Sequence, residues 1–189
     1  MKLSIKNKIL LLCKAILPAI LCVVLIFFLQ VYFDFQYILM FGVIIVLFNH
    51  GKTKHDFILT IFYSIILSFL VLISSMVVGK FLYLIKDELL INLFNDNILK
   101  RIHVIPKSII SPILMFYAYN LLFNMEKTIY FKIVKWSSVF TLIILGLTNL
   151  FFKNMYLFIF WQFIMALALQ LILYQDELKN LFNERYSKR

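Results

Sequence analysis

The sequence predicts an all-α integral membrane protein, and three observations support that fold class. Of the 189 residues, 63% are hydrophobic and only 15% are charged, whereas soluble domains are nearer half apolar and a quarter charged. Four predominantly apolar stretches reach the ~20 residues that a helix needs to cross a bilayer. Glycine and proline are scarce, with four and three residues. A water-soluble fold of this length could not bury so much apolar surface.

The segments that qualify as complete spans are 9–29, 57–79, 134–152 and 155–174. The first follows a basic flank and runs well past the apolar core of a signal peptide, which predicts an uncleaved anchor. The segments 37–48 and 108–123 are shorter, and runs of that length are more often re-entrant or buried by protein. We therefore expect four full spans plus two short membrane-embedded or partner-buried segments, with six spans as the alternative.

Loop charge decides between the two topologies, since either number of spans places both termini on one side. Lysine and arginine concentrate in cytoplasmic loops. Six spans would leave six basic residues outside and four spans only three. This bias favours four spans in a bacterial inner membrane, with both termini cytoplasmic. The chain is then one domain, residues 1–189, with a cytoplasmic insertion at 80–132. Topology also accounts for the net charge of +10, so direct binding of nucleic acid is not expected.

The insertion begins with an amphipathic stretch at 83–102, in which Ile85, Leu89 and Leu93 recur at helical spacing. Such a helix either lies on the membrane surface or offers its apolar face to a partner. The tail at 175–189 repeats the pattern on a smaller scale and predicts a short cytoplasmic helix. The residues expected to contact a partner or anionic headgroups are Lys86, Asp87, Lys100, Arg101, His103 and Lys107.

Small residues form a stripe along segment 57–79 at intervals of four, four, seven and four. In lipid, small and hydroxylated side chains let helices approach closely and hydrogen-bond across the contact. The stripe therefore predicts a helix-packing seam, with a pore lining in an oligomer as the alternative. Its members are Thr60, Ser64, Ser68, Ser75 and Gly79.

The last span has a related arrangement, with Gln162, Ala166 and Gln170 spaced four residues apart. A buried amide needs a partner, because an unsatisfied polar group in hydrocarbon costs several kcal/mol. The neighbouring span offers hydroxyl and amide groups for this purpose, and contacts between subunits are the alternative. The candidates within the chain are Thr141, Thr148 and Asn149.

Residues typical of catalysis or metal binding are few, and we expect neither an enzyme nor a bound cofactor or metal. His50 and His55 flank the loop at 50–56, followed by Asp56, and we interpret them as an interfacial polar loop. No Asp or Glu lies in the middle of the four clear spans, where proton-coupled transporters usually place one. A passive pore is not excluded by this pattern.

In size, charge and layout the chain resembles the KwaA family, the membrane subunits of the two-component Kiwa antiphage system. The similarity rests on the four spans, on the insertion KDELLINLFNDNILKR at 86–101, and on a composition rich in Lys, Ile, Phe and Asn. The resemblance implies a small inner-membrane protein that oligomerises and works with a cytoplasmic partner, KwaB, a DNA-binding effector. It carries over no individual residue.

These observations lead to the expectation of a non-catalytic, homo-oligomeric membrane scaffold or sensor that docks and regulates a soluble cytoplasmic effector, in phage defence if the resemblance holds. The alternative is a small oligomeric pore or transporter subunit.

Overall fold

The computed structural model of the chain describes residues 5–29, 34–85, 106–148 and 154–186. Within these ranges the fold is helical, apart from one isolated bridge between Thr53 and Phe123. The all-helical fold class is thus confirmed. The helices are α1 (Ile5–Leu29), α2 (Asp34–Phe48), α3 (Phe57–Ile85), α4 (Ser111–Leu122), α5 (Ile129–Thr148), α6 (Asn154–Leu173) and α7 (Gln175–Tyr186), with a 3₁₀ turn at His50–Lys52 and a π-helical turn at Pro106–Ile110.

Three of the described helices are long and apolar enough to cross a membrane, at Asn7–Ile26, Phe57–Leu82 and Ile129–Gly146. A fourth span is formed if α6 and α7 are counted together, although they meet at a bend of 73°. The two shorter apolar helices, Ile38–Phe48 and Ser108–Leu122, correspond to the two doubtful segments. Hydropathy therefore located each apolar helix, and the membrane character of the chain follows from their length and composition.

Helix α5 begins five residues before the segment predicted at 134–152. The reason is a local cap: the hydroxyl of Thr128 accepts a hydrogen bond from the backbone N–H of Phe131 at 3.2 Å. A threonine in this position satisfies one of the free N–H groups in the first helical turn. The helix can therefore start among polar residues, where a hydropathy window does not place it.

Successive helices alternate in direction through the bundle. The loop after α2 and the loop after α4 are hydrogen-bonded to each other. Lys54 N donates to Leu122 O at 2.9 Å, and Asn124 N donates to Lys52 O at 3.1 Å. At the other end of the bundle, Ile26 near the end of α1 packs with Ile159 near the start of α6. Helix α1 therefore runs antiparallel to α6 and starts at the end where α7 lies.

The described part of the predicted insertion at 80–132 comprises the end of α3, the π-helical turn, α4 and the start of α5. The end of α3 lies at the opposite end of the bundle from α7, and the π-helical turn and α4 return along α3. Length and composition give three spans among the described helices, or four when α6 and α7 are counted as one, so the four-span and six-span topologies both stay predictions. Helix α4 buries most of its residues against the bundle, whereas its Tyr117 and Leu121 side chains are each 60% exposed.

The core of the bundle is formed where α2, α3, α4 and α6 meet. Phe41 of α2 packs against Tyr119 of α4, with ring centroids 5.9 Å apart, and against Trp161 of α6, with centroids 5.7 Å apart. Large apolar side chains also point outward, among them Ile58 of α3 and Phe140 of α5, which are 79% and 64% exposed. Outward apolar surface of this kind is what a lipid-facing bundle presents.

Candidate functional site

Polar interactions of the described residues concentrate at one end of the bundle, where two loops and the α6–α7 junction meet. We call this end the polar platform and define it as residues 49–56, 123–128 and 174–177. The ends of α2, α3, α4, α5 and α6 all reach it. The backbone hydrogen bonds described above join its two loops, so the four helix ends that these loops connect are fixed to one another.

Lys52 is the central side chain of the polar platform. Its ammonium donates to the backbone carbonyl of Leu173, pairs with the carboxylate of Glu177 at 2.6 Å, and lies 4.3 Å from the ring centroid of Tyr174. A cation at the last carbonyls of a helix also interacts favourably with the helix dipole. Because the Lys52 and Glu177 side chains are 25% and 45% exposed, water weakens their ion pair. Its main effect is to fix the direction of α7.

Gln175 joins the start of α7 to the α4–α5 loop. Its side-chain oxygen accepts a hydrogen bond from the Thr128 hydroxyl at 2.6 Å, and its amide nitrogen donates to the backbone carbonyl of Glu126 at 3.3 Å. The residue is 3% exposed. Gln175 and Lys52 therefore hold the α6–α7 bend from two sides.

We expect Lys52→Met to lower the free energy of unfolding by about 1–2 kcal/mol, because a charged hydrogen-bond donor is lost while the aliphatic stem is kept. Unfolding in mixed micelles measures this change, and hydrogen exchange reports the amides of 175–181 separately. Lys80→Met removes an exposed lysine at the opposite end and should stay within about 0.5 kcal/mol of the parent. Equal exchange protection of α7 in both variants would contradict the assigned role of Lys52.

The predicted small-residue stripe on α3 is largely buried within the chain. Thr60, Ser64 and Ser68 are fully buried, Ser75 is 5% exposed, and Gly79 is half-buried. The Ser64 and Ser68 hydroxyls lie 2.9 and 3.3 Å from the hydroxyl of Tyr119 on α4. This arrangement favours the interpretation as a helix-packing seam, since the same hydroxyls cannot also line a pore between subunits.

The stripe on α6 is buried as well, with Gln162, Ala166 and Gln170 each no more than 1% exposed. The expected partnership with Thr141 is wrong, because Thr141 is exposed and donates to the carbonyl of Ser137 at 2.8 Å. Neither amide atom of Gln170 has a hydrogen-bond partner among the described residues. The side chains of the other two predicted partners, at 148 and 149, lie outside the described part of the chain.

Of the residues expected to contact a partner, only Lys107 lies in the described part of the chain. Lys107 belongs to the π-helical turn at the opposite end of the bundle. His50 and His55 belong to the polar platform, where their rings pack edge-on against Phe57 and Tyr63, with centroids 6.2 and 5.7 Å apart. The other expected contacts fall outside the described residues; they are Lys86, Asp87, Lys100, Arg101 and His103.

Sequence reasoning missed the roles of Tyr119, Lys52 and Gln175, which the structure places at the centre of its polar contacts. Lys52 and Glu177 are 125 residues apart, and Tyr119 and Ser64 are 55 apart. No local periodicity reports pairs at such separations. Comparison of the chain with protein-family models, curated proteins and solved structures gives no match.

Proposed function

We propose that the chain is a non-catalytic membrane scaffold or sensor whose polar platform and helix α7 form the docking surface for a soluble cytoplasmic effector. The observation that carries the proposal is the connection of α7 to both platform loops through Lys52 and Gln175. A change in the packing of the membrane helices would shift the loops, and their contacts would pass the shift to α7. Membrane input would thereby reach a surface in the aqueous phase.

Charge supports a cytoplasmic position for the polar platform. When loops and termini are assigned to the ends of the helices they join, the platform end has thirteen basic and five acidic residues, a net charge of +8. The opposite end has four acidic and six basic residues, a net charge of +2; the basic ones are Lys80, Lys86, Lys100, Arg101, Lys107 and Lys153. Since basic residues favour the cytoplasmic side, the proposed topology places the polar platform and both termini inside.

This topology moves the docking surface from the segment at 86–105 to α7. Leu178 and Leu181 face the bundle, being 6% and 8% exposed, whereas Asp176, Lys179 and Asn180 are exposed. The Lys179 ammonium lies 3.7 Å from the Asp176 carboxylate. Helix α7 is thus anchored by one face and offers a charged outer face to a partner.

The resemblance to the Kiwa membrane subunit would identify the effector as a DNA-binding protein and the process as phage defence in a bacterial inner membrane. Self-association is part of the proposal. Because the small-residue stripes on α3 and α6 are buried inside one chain, copies would meet through the outward apolar faces of the bundle.

The proposal is tested by placing a photo-crosslinking residue at Asn180, in cells that express the full chain at its native level. We expect one soluble cytoplasmic protein to be cross-linked there, and none from Lys80 at the opposite end. The variant Asp176→Lys with Lys179→Glu keeps the net charge and the ion pair while inverting the outer face. Like-charge contacts cost several kcal/mol, so capture should fall roughly tenfold or more.

Lys80→Glu is the matched control and should leave capture unchanged. Capture that is equal in the charge-inverted and parent proteins would overturn the assignment of α7 as the docking surface. The absence of any soluble protein cross-linked at Asn180 would overturn the scaffold proposal itself.

A further inference from the structure

A cleft between α4 and the start of α5 combines positive charge with an apolar floor. Its volume is about 180 Å³, and three lysines line it: Lys127, Lys132 and Lys135. Phe116 and Phe131 form the floor, with ring centroids 6.3 Å apart. The cleft adjoins the polar platform, because Lys127 stands between Glu126 and Thr128, which both hydrogen-bond to Gln175.

The lysines of the cleft have no carboxylate to neutralise them within the described part of the chain. A fourth cation lies at the rim, because the Lys54 ammonium donates to the backbone carbonyl of Asn120 at 2.6 Å, and Asn120 also lines the cleft. Several like charges around one concavity repel one another and attract an anion.

Aromatic residues beside the cleft indicate its level relative to the bilayer. The Lys135 ammonium lies 5.4 Å from the ring centroid of Tyr117 and 4.8 Å from that of Trp136. Tyr117 and Trp136 are 60% and 55% exposed. Tyrosine and tryptophan on the outside of a membrane bundle mark the headgroup level of the bilayer. These aromatic residues lead us to expect the cleft near the level of the lipid phosphates.

An apolar track continues from the cleft along α5 into the membrane. Trp136, Phe140 and Ile144 follow at intervals of four residues, and all three are exposed. Residues at this spacing share one face of a helix. A ligand held in the cleft by its charged group could lay a hydrocarbon chain along this face, which a free inorganic anion could not use.

We propose that this cleft is a specific binding site for an anionic phospholipid of the leaflet at the polar platform. The phosphate would sit among the ammonium groups of Lys127, Lys132 and Lys135, and an acyl chain would follow Trp136 and Phe140. The volume equals that of about six waters at ~30 Å³ each, which accommodates a phosphate and part of the glycerol. Lipid binding would fix α4 against α5 beside the polar platform.

The fluorescence of Trp136 provides the test, because Trp161 is only 7% exposed and serves as an internal reference. The full chain in detergent is titrated with phosphatidylglycerol or phosphatidylcholine that carries bromine on the acyl chain, which quenches a tryptophan in contact. We expect brominated phosphatidylglycerol to quench the fluorescence at lower mole fractions than brominated phosphatidylcholine does. In Trp136→Phe the two lipids should quench equally. The triple variant that combines Lys127→Gln, Lys132→Gln and Lys135→Gln should weaken the binding of phosphatidylglycerol more than tenfold, since each lysine contributes roughly fivefold.

The matched control removes three exposed lysines elsewhere, by Lys14→Gln, Lys80→Gln and Lys179→Gln, and should keep the preference for phosphatidylglycerol. Loss of the preference in both triple variants would show that net charge alone attracts the lipid and would overturn the site. Equal quenching by the two lipids in the parent protein would also overturn it. If inorganic phosphate displaces brominated phosphatidylglycerol as well as the unlabelled lipid does, the cleft binds free phosphate and the lipid assignment is wrong.

Discussion

Replacing Tyr119 by alanine is expected to lower the free energy of unfolding by about 3–5 kcal/mol, as removal of a large buried ring does in protein cores. The side chain is fully buried. Its ring packs edge-on against Phe41 and stacks on Phe123, with both centroid distances at 5.9 Å. The substitution therefore removes packing between α2 and α4 and leaves a cavity at the centre of the bundle. Unfolding in mixed micelles, followed by Trp161 fluorescence, measures the loss.

The variant Tyr119→Phe separates the contribution of the hydrogen bonds to stability from that of the ring packing. It keeps the packing but removes the hydroxyl that Ser64 and Ser68 contact. Hydrogen bonds between membrane helices are worth ~0.6 kcal/mol on average and ~1.7 kcal/mol at most, so a loss of about 1 kcal/mol is expected. Ser64→Ala in the Tyr119→Phe background should then cost less than Ser64→Ala alone, since the bond is already absent.

Tyr117 is the matched control, because it lies on the same helix two residues earlier and is 60% exposed. Tyr117→Ala should change stability far less than Tyr119→Ala. If the two alanine variants were equally destabilised, α4 would not face the bundle as the structure has it. Comparing the alanine variants of Tyr117 and Tyr119 thus tests which face of α4 points into the bundle.

Hydropathy was sufficient to locate every apolar helix, because the length and continuity of an apolar run are local properties. The burial of Thr60, Ser64 and Ser68 was predictable for a similar reason, since their spacing of four residues defines one face of α3. The identity of the facing residue was not predictable. Tyr119 lies in a segment too short to be assigned as a span, and only the folded bundle brings it to Ser64.

The polar platform escaped prediction because its contacts join residues from distant parts of the chain. Lys52 looked like one of several basic loop residues, and Gln175 looked like the first polar residue of a tail. Their roles depend on where α6 ends relative to the two loops, which helix packing determines. The lysines of the cleft between α4 and α5 were likewise counted only toward the net charge, although Lys132 and Lys135 are spaced to share a face of α5.

Gly42 should be the most sensitive position in the contact between α2 and α3. A Cβ atom there would lie 2.8 Å from the Ser64 hydroxyl oxygen and 3.4 Å from the Ser64 backbone. Alanine normally stabilises a helix interior relative to glycine by about 0.5–1 kcal/mol. We nevertheless expect Gly42→Ala to destabilise the bundle by about 1–3 kcal/mol, the usual cost of overpacking, and Gly42→Leu to cost more. The Ser64 hydroxyl cannot turn away without giving up its contact with Tyr119.

Two further variants test this expectation, one as a control and one as a double variant. Gly51 has no atom within 4 Å of an added Cβ and is exposed, so Gly51→Ala should change the free energy of unfolding by no more than about 0.5 kcal/mol. In the double variant Gly42→Ala, Ser64→Ala the crowded hydroxyl is absent, and the combined loss should be smaller than the sum of the single losses by about 0.5 kcal/mol or more. Additive losses would mean that α2 and α3 do not meet at these two residues. Coupling between Gly42 and Ser64 would show that α2 packs against α3 inside the bundle, although its apolar run is short. The alternating order of the helices requires this contact between α2 and α3.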